Sequence, residues 1–384
     1  MQLDLSEEQT QIRAAVRDLC AREFAPEVGR WDLEAIVPRS AVAKLAAQGF
    51  LGMAIPEESG GVGYDTRTIA VVLEEIARVS AALAIMIAVH NSVGALPVFR
   101  FGTDEQRRRF LPRLVSKELG AFSLSEPGAG SDAAAIRSTA VRDGDHYMLN
   151  GTKNWVTNGE QAGVYLIFAR TARDGGARGL SAFIVERDTP GLVVGKAEDK
   201  MGLRGSDTVS LSLENLRVPV GQRLGEEGEG FRIAMSMLDS GRIGVAAQAL
   251  GVARAAFEDS VRYAQQRQAF GQPIARIQAI QFKLAEMERR LQCTRLLLQR
   301  AAWLKDSGQP YSREASMAKL YASEAATWIT HQAIQVHGGY GYVKEYAVER
   351  YYRDSRVMEI YEGTSEIQRL VIARSLLKDG VKSR

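Results

Sequence analysis

Four stretches of this 384-residue chain place together residue types that could do chemistry. One is Tyr361-Glu362-Gly363-Thr364-Ser365-Glu366-Ile367-Gln368-Arg369. Glu362 stands just ahead of two hydroxyl residues able to cap a helix, and Ser365-x-x-Gln368 has the form of a capping box. A carboxylate there is favoured electrostatically whatever its role, so Glu362 taken alone reads as a structural acid or as a general base. Another stretch is Leu238-Asp239-Ser240-Gly241-Arg242, near the start of a helical run. Asp239 and Arg242 are three apart and share a helical face, where they offer an acceptor and a forked cation to one ligand or to each other. The intrahelical ion pair is the simpler reading.

The stretch Phe122-Ser123-Leu124-Ser125-Glu126-Pro127-Gly128-Ala129-Gly130-Ser131-Asp132-Ala133 contains a literal G-x-G-x-x-A over residues 128–133. A dinucleotide-binding turn must open a helix within a βαβ unit. Here Pro127 precedes the glycines, and residues 136–150 read as strand, turn at Asp143-Gly144-Asp145, strand. The segment is better read as a loop whose small residues let backbone approach a flat or phosphorylated ligand, with Ser125 and Ser131 as donors; a plain turn fits as well. The last stretch, Gln332 to Tyr342, ends a helical run in Gly338-Gly339, which suits a helix C-cap and also allows backbone contact with a ligand. His337 reads as a packed residue, because no His or Cys lies at ligand spacing, and no metal site is expected.

The elements that position these stretches follow from periodicity. Residues 1–118 read as helical, opening on the capping box Ser6-Glu7-Glu8-Gln9, with a loop over Pro56–Gly63 and a further helix start at Thr103-Asp104-Glu105-Gln106. Residues 119–226 break into short strand-like runs at 121–124, 146–149, 164–168, 181–185 and 208–213, with Asn150-Gly151 as a hairpin signal. Helical period then returns over 227–384, in long stretches such as 278–298 and 313–336. Helices, strands, helices in that order argue for an α+β chain. Ala81 to Val89 is the most apolar stretch; it stops at His90-Asn91-Ser92, short of a membrane span, and reads as a core helix. Lys and Arg total 49 against 46 Asp and Glu, so charge gives no argument for nucleic acid. Cys20 and Cys293 suggest neither disulfide framework nor zinc site. No targeting peptide is visible, which fits a cytoplasmic protein, or the mitochondrial matrix for a processed mature form.

Together the four stretches resemble the acyl-CoA dehydrogenase family, most closely its short-chain (butyryl-CoA) members. The resemblance spans essentially the whole chain and includes Leu149–Asn158, Arg267-Gln268-Ala269-Phe270-Gly271 and Ile360–Leu370. It implies an N-terminal α-helical domain, a central β-barrel or sandwich and a C-terminal four-helix bundle, with FAD between the last two. Phe122, Leu124, Ser125, Gly130 and Ser131 look like the loop lining the flavin, and Trp155 and Thr157 like the residues that pack on it and hydrogen-bond to it. Arg267, Phe270 and Gln278 resemble contacts to the pyrophosphate and adenine side. Gln335, Gly338 and Gly339 resemble a set that comes from a neighbouring subunit, which implies a homo-oligomer, usually a tetramer. Thr364 and Glu366 also match cofactor positions. Ser131, Tyr361 and Gly363 match substrate positions, and Asp239 and Arg242 match residues that hold the pantetheine of CoA, against the simpler ion-pair reading.

Removing a thioester α-proton needs a carboxylate held close, a polarised carbonyl and a sink for the β-hydride. The resemblance implies Glu362 as base, flavin N5 as hydride acceptor, the Glu362 N–H among the carbonyl's donors, a trans-2-enoyl-CoA product, and electron-transferring flavoprotein as electron acceptor. Exclusion of water is expected to raise the Glu362 pKa toward neutrality. Relatives acting on isovaleryl and long-chain thioesters carry their base at the position of Gly241, which has no side chain to serve. Straight C4 to C6, isobutyryl and 2-methylbutyryl thioesters all fit, as does a non-catalytic flavoprotein of the same fold. Oxidases of the fold are typically much longer, so length argues against one. Val156, His337 and Tyr340 depart mildly from the family pattern, the last two beside the expected adenine contacts.

Overall fold

The structure is a computed structural model that describes residues 4–379. Ser6 accepts from the Gln9 N–H (3.1 Å) while the Gln9 side chain accepts from the Ser6 N–H (3.2 Å), which starts α1 (Glu7–Glu23). After α2 (Val28–Glu34), α3 (Arg39–Ala46) and a loop with one 3-10 turn at Glu57–Ser59, Asp65 caps α4 (Thr66–Val79). Thr103 and Gln106 form a second reciprocal box at the start of α7 (Asp104–Ser116).

Between them, α5 (Ala81–Val89) is buried at every residue. Contrary to expectation, His90-Asn91-Ser92 does not end it. A π-helical segment, His90–Ala95, carries the helix into α6 (Leu96–Phe101). The polar residues are absorbed inside: His90 Nδ1 accepts from the Gly120 N–H (2.8 Å), leaving Nε2 to donate to Leu51 O (2.9 Å), and Asn91 donates to Phe50 O and Ile87 O. Burial pushes the His90 pKa down to about 4, so the ring is neutral. Ala81–Phe101 is, among the described residues, the one helix long and apolar enough to cross a membrane, and most of it is buried within the fold.

The central part is an eight-stranded sheet in the order β6-β7-β3-β2-β4-β5-β8, with β1 parallel to β4. The strands are β1 (Gly120–Ser123), β2 (Thr139–Asp143), β3 (His146–Thr157), β4 (Val164–Arg170), β5 (Leu180–Glu186), β6 (Leu192–Ala197), β7 (Thr208–Pro219) and β8 (Arg223–Leu224). The sheet curls so that distant strands share one core: Tyr147 on β3 meets Phe183 on β5 edge-on at 5.0 Å, within a cluster that includes Leu149, Ile167, Val185 and Leu211. Asn150-Gly151 is not a hairpin. It lies within β3 at a register shift against β7, where the Asn150 side chain accepts from the Asn215 N–H (2.9 Å). Gly151 has φ 146°, and a Cβ there would come within 2.8 Å of the Ser138 backbone. The glycine serves a close approach and not a turn; the turn is at Gly144, φ 61°.

The last part is α8 (Gly230–Gln266), α9 (Gln278–Asp306), α10 (Ser312–His337), α11 (Val348–Arg356) and α12 (Ser365–Asp379), with α10 packed against the other four. The start of α8 sits against β5 so closely that a Cβ on Gly230 would lie 2.6 Å from Ser181 backbone. The inner face of the sheet and the bundle share one core: Leu124, Leu166 and Ile184 pack in the same cluster as Met237, Ile243 and Leu250.

Candidate active site

Glu362 and Gly363 follow each other with φ 54° and 90°, two left-handed residues between a 3-10 turn and α12. A glutamate held there is strained unless its surroundings fix it. The fixing bonds fall on the carbonyls. The Gln368 amide donates to Glu362 O (3.1 Å) and Gly363 O (2.8 Å), and the Lys319 ammonium donates to Gly363 O (2.7 Å). Among the described residues the Glu362 N–H makes no backbone hydrogen bond. The expected Ser365–Gln368 capping box does not form, because Gln368 is engaged in this turn. Thr364 caps α12 instead, its hydroxyl accepting from the Ile367 N–H (3.3 Å).

The Glu362 carboxylate lies over Gly241. A Cβ built on that glycine would stand 2.8 Å from each carboxylate oxygen, so the absent side chain at 241 is the space the carboxylate uses. Oε2 of Glu362 is closed off from solvent and has no hydrogen-bond partner among the described residues. Burial pushes its pKa up to about 7, opposed by the positive charges of Arg242 and then Lys319. Tyr361, beside it, donates its hydroxyl to Gln248, which in turn donates to Ala81 O (2.8 Å). Gln248 is seven residues after Gly241 on α8 and shares its face.

Asp239 and Arg242 lie ten to thirteen residues into α8, not near its start. They are ion-paired, and Ser316 and Ser312 on α10 hold them: Arg242 donates to Ser316 Oγ (3.2 Å), and Asp239 accepts from Ser312 Oγ (2.9 Å). Arg242 is buried with its Nε unpartnered. Burial raises the Asp239 pKa, against Arg242 and Ser312.

The loop after β1 leads into a 3-10 turn, Ala133–Ala135, and then β2, so it opens no α-helix and is not a dinucleotide-binding turn. Glu126 braces it from below. Its carboxylate accepts from the N–H groups of Arg137 (2.6 Å) and Ser138 (2.9 Å) and from Lys153 Nζ (2.8 Å), and Lys153 also donates to Leu124 O. Burial alone would raise the Glu126 pKa, but Lys153 and the Arg137 N–H outweigh it and hold the group below its ordinary range; burial pushes Lys153 down to about 8. The Asn154 N–H donates to Ser125 O (2.9 Å), tying the loop to β3. Next to that bond is Trp155, at φ 62° and 62% exposed, with Thr157 half-buried beyond it. Gly128 and Gly130 have open space where a side chain would be. Phe122 and Ser125 are half-buried, Leu124 is buried and Ser131 exposed. An exposed indole beside a braced loop of small residues is a fitting seat for a flat ring system.

Arg267, Phe270 and Gln278 lie at the far end of α8 and the start of α9, and Gln335, Gly338 and Gly339 at the end of α10. The structure brings these two sets together. His337 stacks on Tyr263 at 4.2 Å, and the Arg267 guanidinium lies 5.5 Å from the Tyr340 ring centre. Among the described residues no hydrogen bond or ring contact joins this end to the Phe122–Ser131 loop. Phe270 is 93% exposed. Thr364 is half-buried and Glu366 exposed.

Lys319, Gln248, Glu126 and Lys153 brace these groups although no motif marks them, and Gln368 serves the turn and not the capping box its spacing suggests. Lys319 had a legible signal: it interrupts the buried alanine face Ala315, Ala318, Ala322. Lys153 had none, since the register shifts in β3 break the alternation that would reveal an inward residue.

Three family models match the chain: Acyl-CoA dehydrogenase, N-terminal domain, over residues 6–118; middle domain, over 121–216; and C-terminal domain, over 228–377. The short-chain specific acyl-CoA dehydrogenase of Bos taurus mitochondria is 49% identical over 98% of this chain and 92% of its own. Butyryl-CoA dehydrogenase from Megasphaera elsdenii superposes with a TM-score of 0.96 at 42% identity, covering 98% of this chain and all of the other. A chain from a structure described as the electron transferring flavoprotein of Acidaminococcus fermentans gives 0.97 at 43%, covering 99% and 100%. The prolyl acyl carrier protein oxidase AnaB gives 0.93 at 37%, covering 97% of this chain and all of its own. An oxidase of this fold that acts on an acyl carrier protein can thus be of this chain's size. The chain belongs to the acyl-CoA dehydrogenase family of FAD-dependent oxidoreductases.

Proposed function

We propose that this protein removes the α-proton of a short-chain acyl-CoA thioester with Glu362 as the base, yielding the trans-2-enoyl-CoA. The observation that carries the reading is the carboxylate seated over Gly241, with one oxygen unpartnered and a pKa of about 7. A base tuned to the operating pH combines a useful ionised fraction with driving force for proton transfer. The Glu362 N–H, which has no backbone acceptor among the described residues, is offered to the thioester carbonyl, where a fixed donor stabilises developing negative charge. Tyr361, Gly363 and Ser131 line the thioester, and Asp239 and Arg242 hold the pantetheine once the ion pair opens toward it. FAD, when bound, supplies the acceptor for the β-hydride. Phe122, Leu124, Ser125, Gly130, Ser131, Trp155 and Thr157 form its ring seat, with Thr364 and Glu366 near α12.

Arg267, Phe270 and Gln278, together with Gln335, Gly338 and Gly339, bind the pyrophosphate and adenine. Because both sets share one end of the bundle, we assign them jointly to a flavin seated on a second chain, in a homotetramer. The exposure of Phe270 supports this. Electrons pass on to electron-transferring flavoprotein; the similarity to a chain in a structure described by that name supports the partner. The relatives' names support straight short chains, with isobutyryl and 2-methylbutyryl thioesters the nearest competitors.

Anaerobic titration of the FAD-loaded protein with acyl-CoA thioesters, read as flavin bleaching near 450 nm, tests the reading. Butyryl-CoA is expected to bleach it most completely, and no bleaching by any thioester would sink the proposal.

A further inference from the structure

Two successive left-handed residues, one of them a glutamate, persist only where the surroundings over-determine them. At Glu362-Gly363 three donor contacts do so, all on the two carbonyls and all from Lys319 and Gln368. We propose that these two side chains clamp the carbonyl side of the turn so that its N–H and carboxylate face the substrate, and that the charge of Lys319 biases the base toward its carboxylate. Both are positioning residues, and the inference rests on Glu362 being the base.

Lys319 is fully buried in α10, one turn from Ala315, Ser316, Ala322 and Ser323, which are buried too. Placing an ammonium there is costly unless it is hydrogen-bonded and paired. Among the described residues its ammonium donates to Gly363 O, and Glu362 is the strongest charge acting to keep it protonated. Burial pushes it down to about 8, so it is mostly charged near pH 7. The other charged groups about the pair are Arg242 on α8, Glu359 in the preceding turn and Glu366 at the start of α12, and the Tyr361 phenol, whose pKa burial raises, is neutral. Arg242 is held by Asp239, whereas among the described residues Lys319 has no such carboxylate partner at contact distance. The lysine therefore joins two tasks in one atom. It fixes the backbone of the turn by a hydrogen bond, and it stabilises the ionised base by charge.

Two substitutions separate these tasks: Lys319→Met removes donor and charge, while Lys319→Gln removes the charge and keeps an N–H donor. The measurement is the anaerobic flavin-reduction rate of the FAD-loaded protein at saturating butyryl-CoA from pH 5.5 to 9.5. Both variants are expected to move the ascending limb upward by about one pH unit, which lowers the rate at pH 6.5 about tenfold. At pH 9 Lys319→Gln should come within about threefold of the unmodified protein, and Lys319→Met should stay lower. A uniform rate loss with the limb unmoved would show a purely structural lysine and overturn the proposal, as would unchanged profiles in both variants. Failure of the unmodified protein to be reduced by any acyl-CoA would instead defeat the functional reading itself. Lys319→Gln, by keeping a donor in the buried site, guards the test against a variant that does not fold.

Discussion

A glutamate ahead of a helix start is commonplace, and what sets Glu362 apart is the missing atom opposite it. The Glu362 carboxylate occupies the space that any larger residue at 241 would fill. Gly241→Ala should therefore push the carboxylate aside without disturbing the backbone, because the colliding atoms are the far end of a flexible side chain. The expected result is normal FAD content and flavin reduction slowed at least tenfold; reduction at the unmodified rate would mean that the carboxylate does not work from this position. Glu362→Gln keeps the shape and removes the basicity. It should retain FAD, bind acyl-CoA, and lose about 10²- to 10⁴-fold or more in reduction rate, the range general-base catalysis contributes. Stopped-flow bleaching at 450 nm measures both. In the unmodified protein the rate should climb with pH through about 7, since the base works only when ionised and burial has raised its pKa to that value.

Elements were legible where a local signal decides the structure, and misread where a distant neighbour does. The capping boxes at Ser6 and Thr103 close within four residues and form as their sequence implies. Ser365-x-x-Gln368 has the same form, yet Gln368 is taken by the carbonyls of the preceding turn. Asn150-Gly151 favours a turn by its intrinsic conformation, but pairing with β7 on both sides of it holds the chain extended. Polar His90 and Asn91 look like a helix end, and they continue the helix because Leu51, Phe50 and Gly120 supply their partners. The brace under the loop after β1 belongs with these: neither Glu126 nor Lys153 announces itself in sequence, since each is defined by a partner 27 residues away. Glu126→Gln leaves Lys153 buried without its counter-charge, a defect that typically costs about 3–5 kcal/mol. The protein should unfold several degrees lower and, more tellingly, lose FAD on gel filtration at a concentration where the unmodified protein keeps it. Full FAD retention would show that the loop holds its shape without the brace.

At the scale of the whole molecule, the N-terminal helices, the sheet and the bundle are held in one arrangement by a shared apolar core. Polar contacts centred on α11 add a second joint. Arg353 on α11 makes a fork to Asp32 of α2 (2.6 and 3.1 Å), pairs with Glu349 and donates to Met201 O in the loop after β6. Its neighbour Asp354 accepts from the Leu203 N–H (2.6 Å) in that same loop. The approach is tight enough that a Cβ on Gly202 would fall 2.2 Å from Arg353 O. Burial pushes the Asp354 pKa up to about 6, with the Leu203 N–H pulling it the other way. The folded state therefore holds this proton more strongly than the unfolded chain, whose carboxyl titrates near 3.9. Stability from this group is complete below about pH 4 and is lost as pH rises through 6, by up to about 3 kcal/mol. Asp207, also raised to about 6 by burial, acts in the same direction. Asp354→Asn keeps an oxygen for the Leu203 N–H and cannot ionise. Its melting temperature should match that of the unmodified protein at pH 4.5 and exceed it at pH 7.5, measured by thermal unfolding of the FAD-loaded form across that range. A difference constant with pH would show that the carboxyl is no more easily protonated in the folded protein than outside it.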